Sequence, residues 1–139
     1  MSTDYRFSTA IDDIDRGLVP RWLSEEAYWA KGRSRQVQEA AIDASRNYSV
    51  LEVRSGRQVG YARVVTDTVT FAWLCDVFVA PEARGAGVGR LLVDGVLADL
   101  DELGVRRTLL ATADAHGLYA QYGFEPLADP GRWMGRGTI

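Results

Sequence analysis

The 139-residue sequence contains one cysteine, one lysine and one histidine, and no long apolar run. A single cysteine, Cys75, cannot form an internal disulfide, which is typical of proteins in a reducing compartment. No stretch approaches the roughly 18 consecutive apolar residues of a transmembrane helix, so we expect no membrane partner. The first residues, MSTDYRFS, lack the basic and apolar regions of a secretory signal. We therefore expect a cytoplasmic protein.

The charge balance is mildly acidic. Sixteen basic and 19 acidic residues give a formal net charge of −3. Surfaces that bind nucleic acid are usually basic, so we expect no nucleic-acid partner. The length suits a single domain, residues 1–139, with one hydrophobic core, and it leaves both a monomer and a homodimer open.

Hydrophobic periodicity predicts helices and strands that alternate along the chain. Strands are predicted over residues 4–8, 48–54, 59–66, 69–79 and 107–111, with a hairpin turn at 55–57, a return strand at Phe124 and a short edge strand near 132–135. Helices are predicted from Asp12 or Asp13 to Leu23, over 88–103 and over 114–122, and another starts after Ser34 with Val37, Ala40, Ala41 and Ala44 facing inward. The interleaved pattern indicates an α/β protein.

One predicted strand joins one predicted helix through a glycine-rich turn, RGAGVGR, at residues 84–90. The first amides of a helix lack internal partners, and the helix dipole adds partial positive charge there. Glycines allow a phosphate to approach the backbone closely because they have no Cβ. With Arg84 and Arg90 at its two ends, the turn is predicted to hold a pyrophosphate.

Two common nucleotide-binding motifs do not fit this turn. Its spacing is G-x-G-x-G, whereas the dinucleotide fingerprint is G-x-G-x-x-G. A nucleotide P-loop requires a lysine after its last glycine, where this chain has Arg90; the only lysine, Lys31, lies far upstream. Neither fingerprint therefore explains the turn.

The remaining pattern, Arg84-x-x-Gly87-x-Gly89, resembles the acyl-CoA site of the GNAT superfamily of N-acyltransferases. A second motif, LYAQYGF at 118–124, resembles the superfamily's Leu-Tyr-x-x-x-Gly-Phe at the expected interval, and the resemblance covers roughly residues 48–127. The segment YWAKGRS at 28–34 is similar to one found in some small bacterial members. This resemblance implies a mostly antiparallel mixed sheet flanked by helices, with acetyl-CoA as the cosubstrate.

The resemblance also implies roles for individual residues. The strand would pair with the pantetheine and the turn would bind the pyrophosphate, which together assigns Val77, Phe78, Val79, Arg84, Gly85, Ala86, Gly87, Val88, Gly89 and Arg90 to the coenzyme. Tyr119 is the candidate acid that protonates the departing CoA thiolate, because a phenol with a pKa near 10 suits this leaving group.

Asp76 and His116 are further candidates for proton transfer, and each has a second interpretation. Asp76 is a carboxylate in an apolar strand, so it either takes the proton of the amine, directly or through water, or pairs with an arginine. His116 lies where a predicted strand leads into a predicted helix. It either contacts the coenzyme or moves a proton, or it is a solvated residue.

The acceptor site is predicted at Tyr28, Trp29 and Arg33, in an aromatic and irregular segment that forms one wall of the acceptor site in the family. Arg33 and Arg35 favour a carboxylate on the acceptor, and Asp76 favours a cationic amine. The sequence predicts direct acetyl transfer, in a ternary complex and without a metal, to a primary amine of a small molecule. Three alternatives stay open: a CoA-binding regulatory or interaction domain without useful turnover, acetylation of a protein N-terminus or lysine, and a nucleotide-binding domain.

Overall fold

The computed structural model describes residues 4–137, which form a five-stranded sheet with four α-helices. The strands are β1 (Tyr5–Ser8), β2 (Arg46–Glu52), β3 (Gln58–Thr66), β4 (Ala72–Val79) and β5 (Thr108–Leu109). The helices are α1 (Leu18–Glu26), α2 (Arg35–Asp43), α3 (Val88–Leu103) and α4 (His116–Ala120). The predicted α/β class is confirmed. Within this range no helix is long and apolar enough to cross a membrane.

The strands lie in the sheet in the order in which they occur in the chain. The first four pair antiparallel, and β5 is parallel to β4 because α3 returns the chain before β5 begins. This confirms the predicted mixed, mostly antiparallel sheet. The side chains of Val88, Leu92, Val96 and Leu100 lie on the buried face of α3, at the four-residue spacing of one helix face.

The first helix begins later than predicted. A 3₁₀ turn occupies Ile11–Asp13, and α1 starts at Leu18, so Pro20 lies in its first turn, where a helix can accept a residue without an amide hydrogen. The carboxylate of Asp15 accepts hydrogen bonds from the amides of Gly17 and Leu18 at 3.0 Å each. Pro20 therefore belongs to the start of the helix rather than interrupting it.

The second helix starts as predicted but buries a different face. The hydroxyl of Ser34 accepts a hydrogen bond from the amide of Val37 at 3.2 Å, which confirms the predicted N-cap. Val37 itself is 57% exposed, and Ala40 and Ala44 are exposed as well, so the predicted inward face is wrong. Gln38 and Ile42 are buried instead. Gln38 turns inward because its side-chain oxygen accepts a hydrogen bond from Arg33, a contact that apolar periodicity does not reveal.

The hairpin between β2 and β3 is confirmed, but β4 begins at Ala72 rather than at residue 69. Gly56 takes a left-handed φ of 73° at the tip of the hairpin, as a tight turn requires. Before β4, the carboxylate of Asp67 accepts hydrogen bonds from the amides of Val69 and Thr70. These bonds close a local turn over residues that would otherwise extend the strand.

The two strands predicted near the C-terminus are wrong. The amide of Phe124 donates to the carbonyl of Tyr119, which closes the turn after α4 and leaves residues 124–127 without strand pairing. Near residues 132–135 the structure has only a 3₁₀ turn at Pro130–Arg132. Prolines at 126 and 130 lack the amide hydrogens that a strand would need.

Candidate functional site

The sheet opens between β4 and β5, and a cleft of about 650 Å³ fills the opening. The two strands pair only at Ala72 with Thr108 and at Trp73 with Leu109. Beyond these pairs β4 continues on one side of the cleft, and residues 110–115 form the other side. The rest of the lining consists of Tyr28, Trp29, Arg33, Arg63 and Tyr119. The volume is within the range of small-molecule sites.

A β-bulge in β4 places a carboxylate in this cleft. In the pairing with β3, Arg63 lies opposite Cys75 and Tyr61 lies opposite Phe78, so Ala62 faces two residues of β4 instead of one. Asp76 is one of these two residues and has a φ of 52°, which is uncommon for a residue other than glycine but is better tolerated by aspartate than by most. The bulge therefore interrupts, at Asp76, the regular alternation of β4 side chains between the two faces of the sheet.

The carboxylate of Asp76 accepts hydrogen bonds from three donors, and its side chain is only 1% exposed. Arg33 Nη1 and Arg63 Nε both donate to its Oδ2 at 2.8 Å, and Trp29 Nε1 donates to its Oδ1 at 2.9 Å. Burial alone raises the pKa of this carboxyl, but the hydrogen bonds and charges of the two arginines outweigh burial and hold the pKa below its usual value. Asp76 is therefore an ionised, fully paired group. These contacts agree with the second of the two predicted interpretations, an ion pair.

All three predicted acceptor-wall residues line the cleft. The Tyr28 hydroxyl accepts a hydrogen bond from the amide of Ala113 at 3.1 Å, which fastens the segment 28–33 to the chain beyond β5. The rings of Tyr28 and Trp29 meet edge to face with their centroids 5.0 Å apart. Arg35, in contrast, pairs with Glu39 on the exposed side of α2 and does not line the cleft.

Tyr119 lies at the cleft on α4 and is 8% exposed. Burial raises the pKa of its phenol above the usual value, and the nearby Tyr28 and Asp114 raise it further. The phenol therefore stays protonated over a wide pH range. The ring of Phe124 packs edge to face against that of Tyr119 with the ring centroids 5.8 Å apart, which fixes the orientation of the tyrosine. His116, the first residue of α4, is exposed and does not line the cleft.

The glycine turn lies at the far end of β4 and has the open backbone that a phosphate requires. Gly85 and Gly87 have left-handed φ values of 84° and 81°, and Gly87 is the N-cap of α3. A Cβ added at either glycine would meet no atom within 4 Å, so solvent-side space lies above both. The first helical hydrogen bond runs from Leu91 to Gly87, which leaves the amides before Leu91 without helical partners. These features fit a pyrophosphate.

The two arginines at the ends of the turn are each held by a neighbour. Arg84 donates from Nε to the carbonyl of Val79 at 3.0 Å, and its guanidinium lies over the ring of Phe78. Arg90 donates to the side chain of Gln121. Arg84 is exposed, so its charge is accessible to a ligand.

Sequence reasoning missed Arg63, which donates to Asp76 from the neighbouring strand. The signal that singled out Asp76 was also present here, since Arg63 is a charged residue within the apolar run of β3. Cys75 also lines the cleft, but burial is the main cause that raises the pKa of its thiol to about 11. A thiol with this pKa is a poor nucleophile at neutral pH.

A second cavity, of about 360 Å³, lies at the ends of β2 and β3 that are remote from the glycine turn. Thr9, Ser45, Thr66 and Thr68 are part of its lining, together with Arg46, which pairs with Asp99 at 2.6 Å. None of the predicted site residues lines this cavity.

Comparison with known proteins identifies relatives of this chain. A model of the acetyltransferase (GNAT) family matches residues 17–124. A crystal structure from Xanthomonas campestris pv. campestris, of a protein assigned to the same family, is 46% identical with a TM-score of 0.90, over 96% of this chain and 93% of that one. An acetyltransferase homologue of Gibberella zeae is 35% identical over 50% of this chain, and serotonin N-acetyltransferase 2 of Oryza sativa subsp. japonica is 37% identical over 58%. The matched regions span 40% of the length of each of these last two proteins.

Proposed function

Because this chain belongs to the GNAT family of acetyltransferases, we propose that it transfers the acetyl group of acetyl-CoA to a primary amine of a small molecule. One observation carries the proposal: β4 connects an open helix N-terminus at its end to a cleft of small-molecule size along its middle. A coenzyme extended along β4 would place its pyrophosphate at the first and its thioester in the second. An amine entering the cleft would then meet the acetyl carbonyl.

The glycine turn would bind the pyrophosphate through the free amides at the start of α3. Support comes from the absence of any atom within 4 Å of a Cβ built at Gly85 or Gly87, where a phosphate needs room. The backbone of Val77 to Val79 would pair with the amides of the pantetheine, since among residues 4–137 β4 has no strand partner on the β5 side beyond Trp73. Phe78 contributes only its backbone here because its side chain packs against Trp22.

The reaction would proceed by direct attack. The amine nitrogen forms a bond to the acetyl carbon, the carbon–sulfur bond breaks, and the thiolate takes a proton from the Tyr119 hydroxyl. A backbone amide of the strand from Val77 to Val79 would stabilise the negative charge that develops on the acetyl oxygen. The proposal for Tyr119 is supported by its position at the cleft and by the raised pKa of its phenol, which keeps the proton available.

Asp76 is better suited to hold the acceptor wall than to act as the base. A carboxylate that accepts hydrogen bonds from Arg33, Arg63 and Trp29 has a lowered pKa and a low affinity for a further proton. We therefore assign to water in the open cleft the proton that the ammonium loses before it attacks as a free amine. Water would also take the second proton, which the nitrogen loses after attack, and would return a proton to Tyr119. His116 remains a candidate for proton transfer only as the rival of Tyr119, since it lies outside the cleft lining.

The decisive experiment measures thiol release from acetyl-CoA with a panel of small primary amines, short peptides with free N-termini and lysine-containing peptides. Turnover with small amines supports the proposal. Turnover restricted to peptides would replace it with protein acetylation. Acetyl-CoA binding by calorimetry without thiol release from any acceptor would point to the regulatory CoA-binding domain.

A further inference from the structure

The floor of the cleft carries more positive than negative charge. Two guanidinium groups, those of Arg33 and Arg63, converge on one carboxylate oxygen, the Oδ2 of Asp76. The pKa of Asp76 lies below its usual value, so this carboxylate carries one full negative charge at neutral pH. Two positive charges and one negative charge leave the cluster with a net charge of about +1.

The two arginines also have hydrogen-bond donors that the protein does not use. Arg33 makes both of its side-chain hydrogen bonds, to Gln38 and Asp76, through Nη1. Arg63 bonds Asp76 through Nε and Ser45 through Nη1. Within residues 4–137, Nε and Nη2 of Arg33 and Nη2 of Arg63 have no protein partner. Both side chains line the cleft and retain 23% and 15% exposure, so a ligand can reach them.

A negative charge lies in the cleft just before α4. Asp114 lines the same cleft and is exposed, and no salt bridge to its carboxylate occurs among the described residues. Its charge is close enough to Tyr119 to raise the pKa of that phenol. The Tyr28 hydroxyl lies near both. The cleft is therefore positive at the arginine pair and negative beside the proposed proton donor.

We propose that the acceptor is a small amine that also carries a carboxylate, with the carboxylate bound by the unused donors of Arg33 and Arg63 and the amino group lying toward Asp114. This inference rests on the acetyltransferase function proposed above. Guanidinium groups present parallel N–H donors that match the two oxygens of a carboxylate, and a net charge near +1 is balanced by a monoanion. The separation of charge within the cleft orients such a molecule with its amine toward Tyr119.

Matched pairs of acceptors test this inference. Tryptophan with tryptamine, tyrosine with tyramine, phenylalanine with phenethylamine and lysine with cadaverine each differ by one carboxylate, and phosphoethanolamine with ethanolamine tests a phosphate instead. We expect kcat/KM for thiol release to be at least tenfold higher for the carboxylate member of the accepted pairs. Equal or better turnover of the decarboxylated amines overturns the inference while leaving the proposed function intact, and a preference for the phosphate overturns it as well.

Two matched variants locate the effect. Arg33→Gln removes the charge in the cleft, and Arg35→Gln removes an equivalent charge on the exposed side of α2. The carboxylate preference should fall at least fivefold in Arg33→Gln and stay unchanged in Arg35→Gln, with the acetyl-CoA dissociation constant the same in both. An unchanged preference in a folded Arg33→Gln protein contradicts the assignment.

Product binding gives a readout that does not depend on turnover. Calorimetry of the CoA-loaded wild-type protein should detect the binding of N-acetyl amino acids. The corresponding N-acetyl amino acid amides should bind at least tenfold more weakly. If none of the amines releases thiol, the proposed function fails, and the same calorimetry still decides whether the cleft recognises a carboxylate. Equal binding of acids and amides, or none by either, overturns the inference.

Discussion

Two residues of the cleft, Asp76 and Tyr119, have opposite protonation states that the structure maintains by different means. Asp76 keeps its negative charge because two arginines lower its pKa against the effect of burial. Tyr119 keeps its proton because burial raises its pKa and no described cation opposes that effect. The first arrangement suits a fixed anion that organises its neighbours, and the second suits a proton donor.

Replacing Tyr119 with phenylalanine should lower kcat by about 10²–10⁴-fold, because the ring packing on Phe124 remains and only the donated proton is lost. The acetyl-CoA dissociation constant should change little. A general acid is active while protonated, and the pKa of this phenol lies above its usual 10, so wild-type activity should fall only as the pH rises above about 10. This limb should disappear in Tyr119→Phe. Steady-state kinetics and calorimetry measure both effects.

His116→Ala provides the rival experiment. The imidazole is exposed and outside the cleft lining, so its loss should change kcat by less than about threefold. A large loss in His116→Ala with a silent Tyr119→Phe would make the histidine the acid. If neither variant lowers kcat tenfold with a well-accepted amine, solvent protonates the thiolate.

Asp76→Asn should destabilise the protein by about 2–3 kcal/mol at pH 7, because two partly buried arginines lose their counter-charge. A carboxyl with a lowered folded-state pKa contributes its stability above the unfolded-state pKa, near 3.8, and loses it as the pH falls further. The difference between the two proteins in free energy of unfolding should therefore be constant above about pH 6 and shrink below about pH 4. Urea titrations across this range measure it, and a difference that grows on acidification contradicts the ion pair.

Among single residues, the sequence revealed anomalies but not their partners. Asp76 attracted attention as a charge in an apolar strand, yet its contacts with Arg63 and Arg33 depend on strand register and on the path of the chain between α1 and α2. The bond from Ala113 to Tyr28 joins residues 85 positions apart. Local patterns carry no information about such pairings, which tertiary structure alone decides.

The helix α3, whose start is the proposed pyrophosphate site, has a left-handed glycine at each end. Gly87 (φ 81°) precedes its first turn and Gly104 (φ 79°) follows its last, and both have open space around them. Gly87→Glu and Gly104→Glu therefore impose a similar backbone strain, about 1–2 kcal/mol each. Only Gly87→Glu adds a carboxylate at the proposed pyrophosphate site, so only this variant should lose acetyl-CoA binding. Calorimetry on both folded proteins compares them, and equal affinities would refute the assignment.

Elements with strong periodicity or clear turn residues could be predicted, and those whose limits depend on side-chain contacts could not. The hairpin, the strand before the glycine turn and the cap at Ser34 follow from local chemistry. The start of β4 depends on the side chain of Asp67. The turn that replaces the predicted strand at Phe124 depends on the hydrogen bond from its amide to the carbonyl of Tyr119. The buried side of α2 depends on Gln38, a polar residue that apolar patterns assign to the surface.

At the scale of the whole molecule, α3 packs against the sheet with Gly95 directly beside the ring of Phe7. A Cβ at Gly95 would lie 2.4 Å from atoms of the Phe7 ring, which itself stacks on Tyr48. The clash includes Cγ at 2.5 Å, the ring atom nearest the backbone, so the whole ring would have to shift. Gly95→Ala should therefore destabilise the protein by about 1–3 kcal/mol although alanine favours helices. The absence of a side chain at Gly95 thus allows α3 to lie this close to the first strand.

Gly117→Ala is the matched control for this prediction. Gly117 is also helical, and a Cβ there would meet nothing within 4 Å. The substitution should stabilise the protein by up to about 1 kcal/mol through helix propensity and reduced freedom of the unfolded chain. The midpoints of thermal and of chemical unfolding should therefore fall in Gly95→Ala and rise in Gly117→Ala, relative to the wild-type protein. A change in the same direction for both variants would show that the Phe7 contact does not control α3 packing.

The bulge in β4 has a consequence for how this site could be gained or lost in the gene. Arg63 pairs with Cys75 and Tyr61 with Phe78, so β4 uses three steps where β3 uses two. Deleting the single codon for Asp76 would leave Val77 opposite Ala62 and keep every other pair of this ladder in register. The shorter protein would retain a continuous sheet and its glycine turn, but both arginines of the cleft would lack their counter-ion. One codon thus separates a plain antiparallel ladder from one whose bulge holds Asp76 between Arg33 and Arg63.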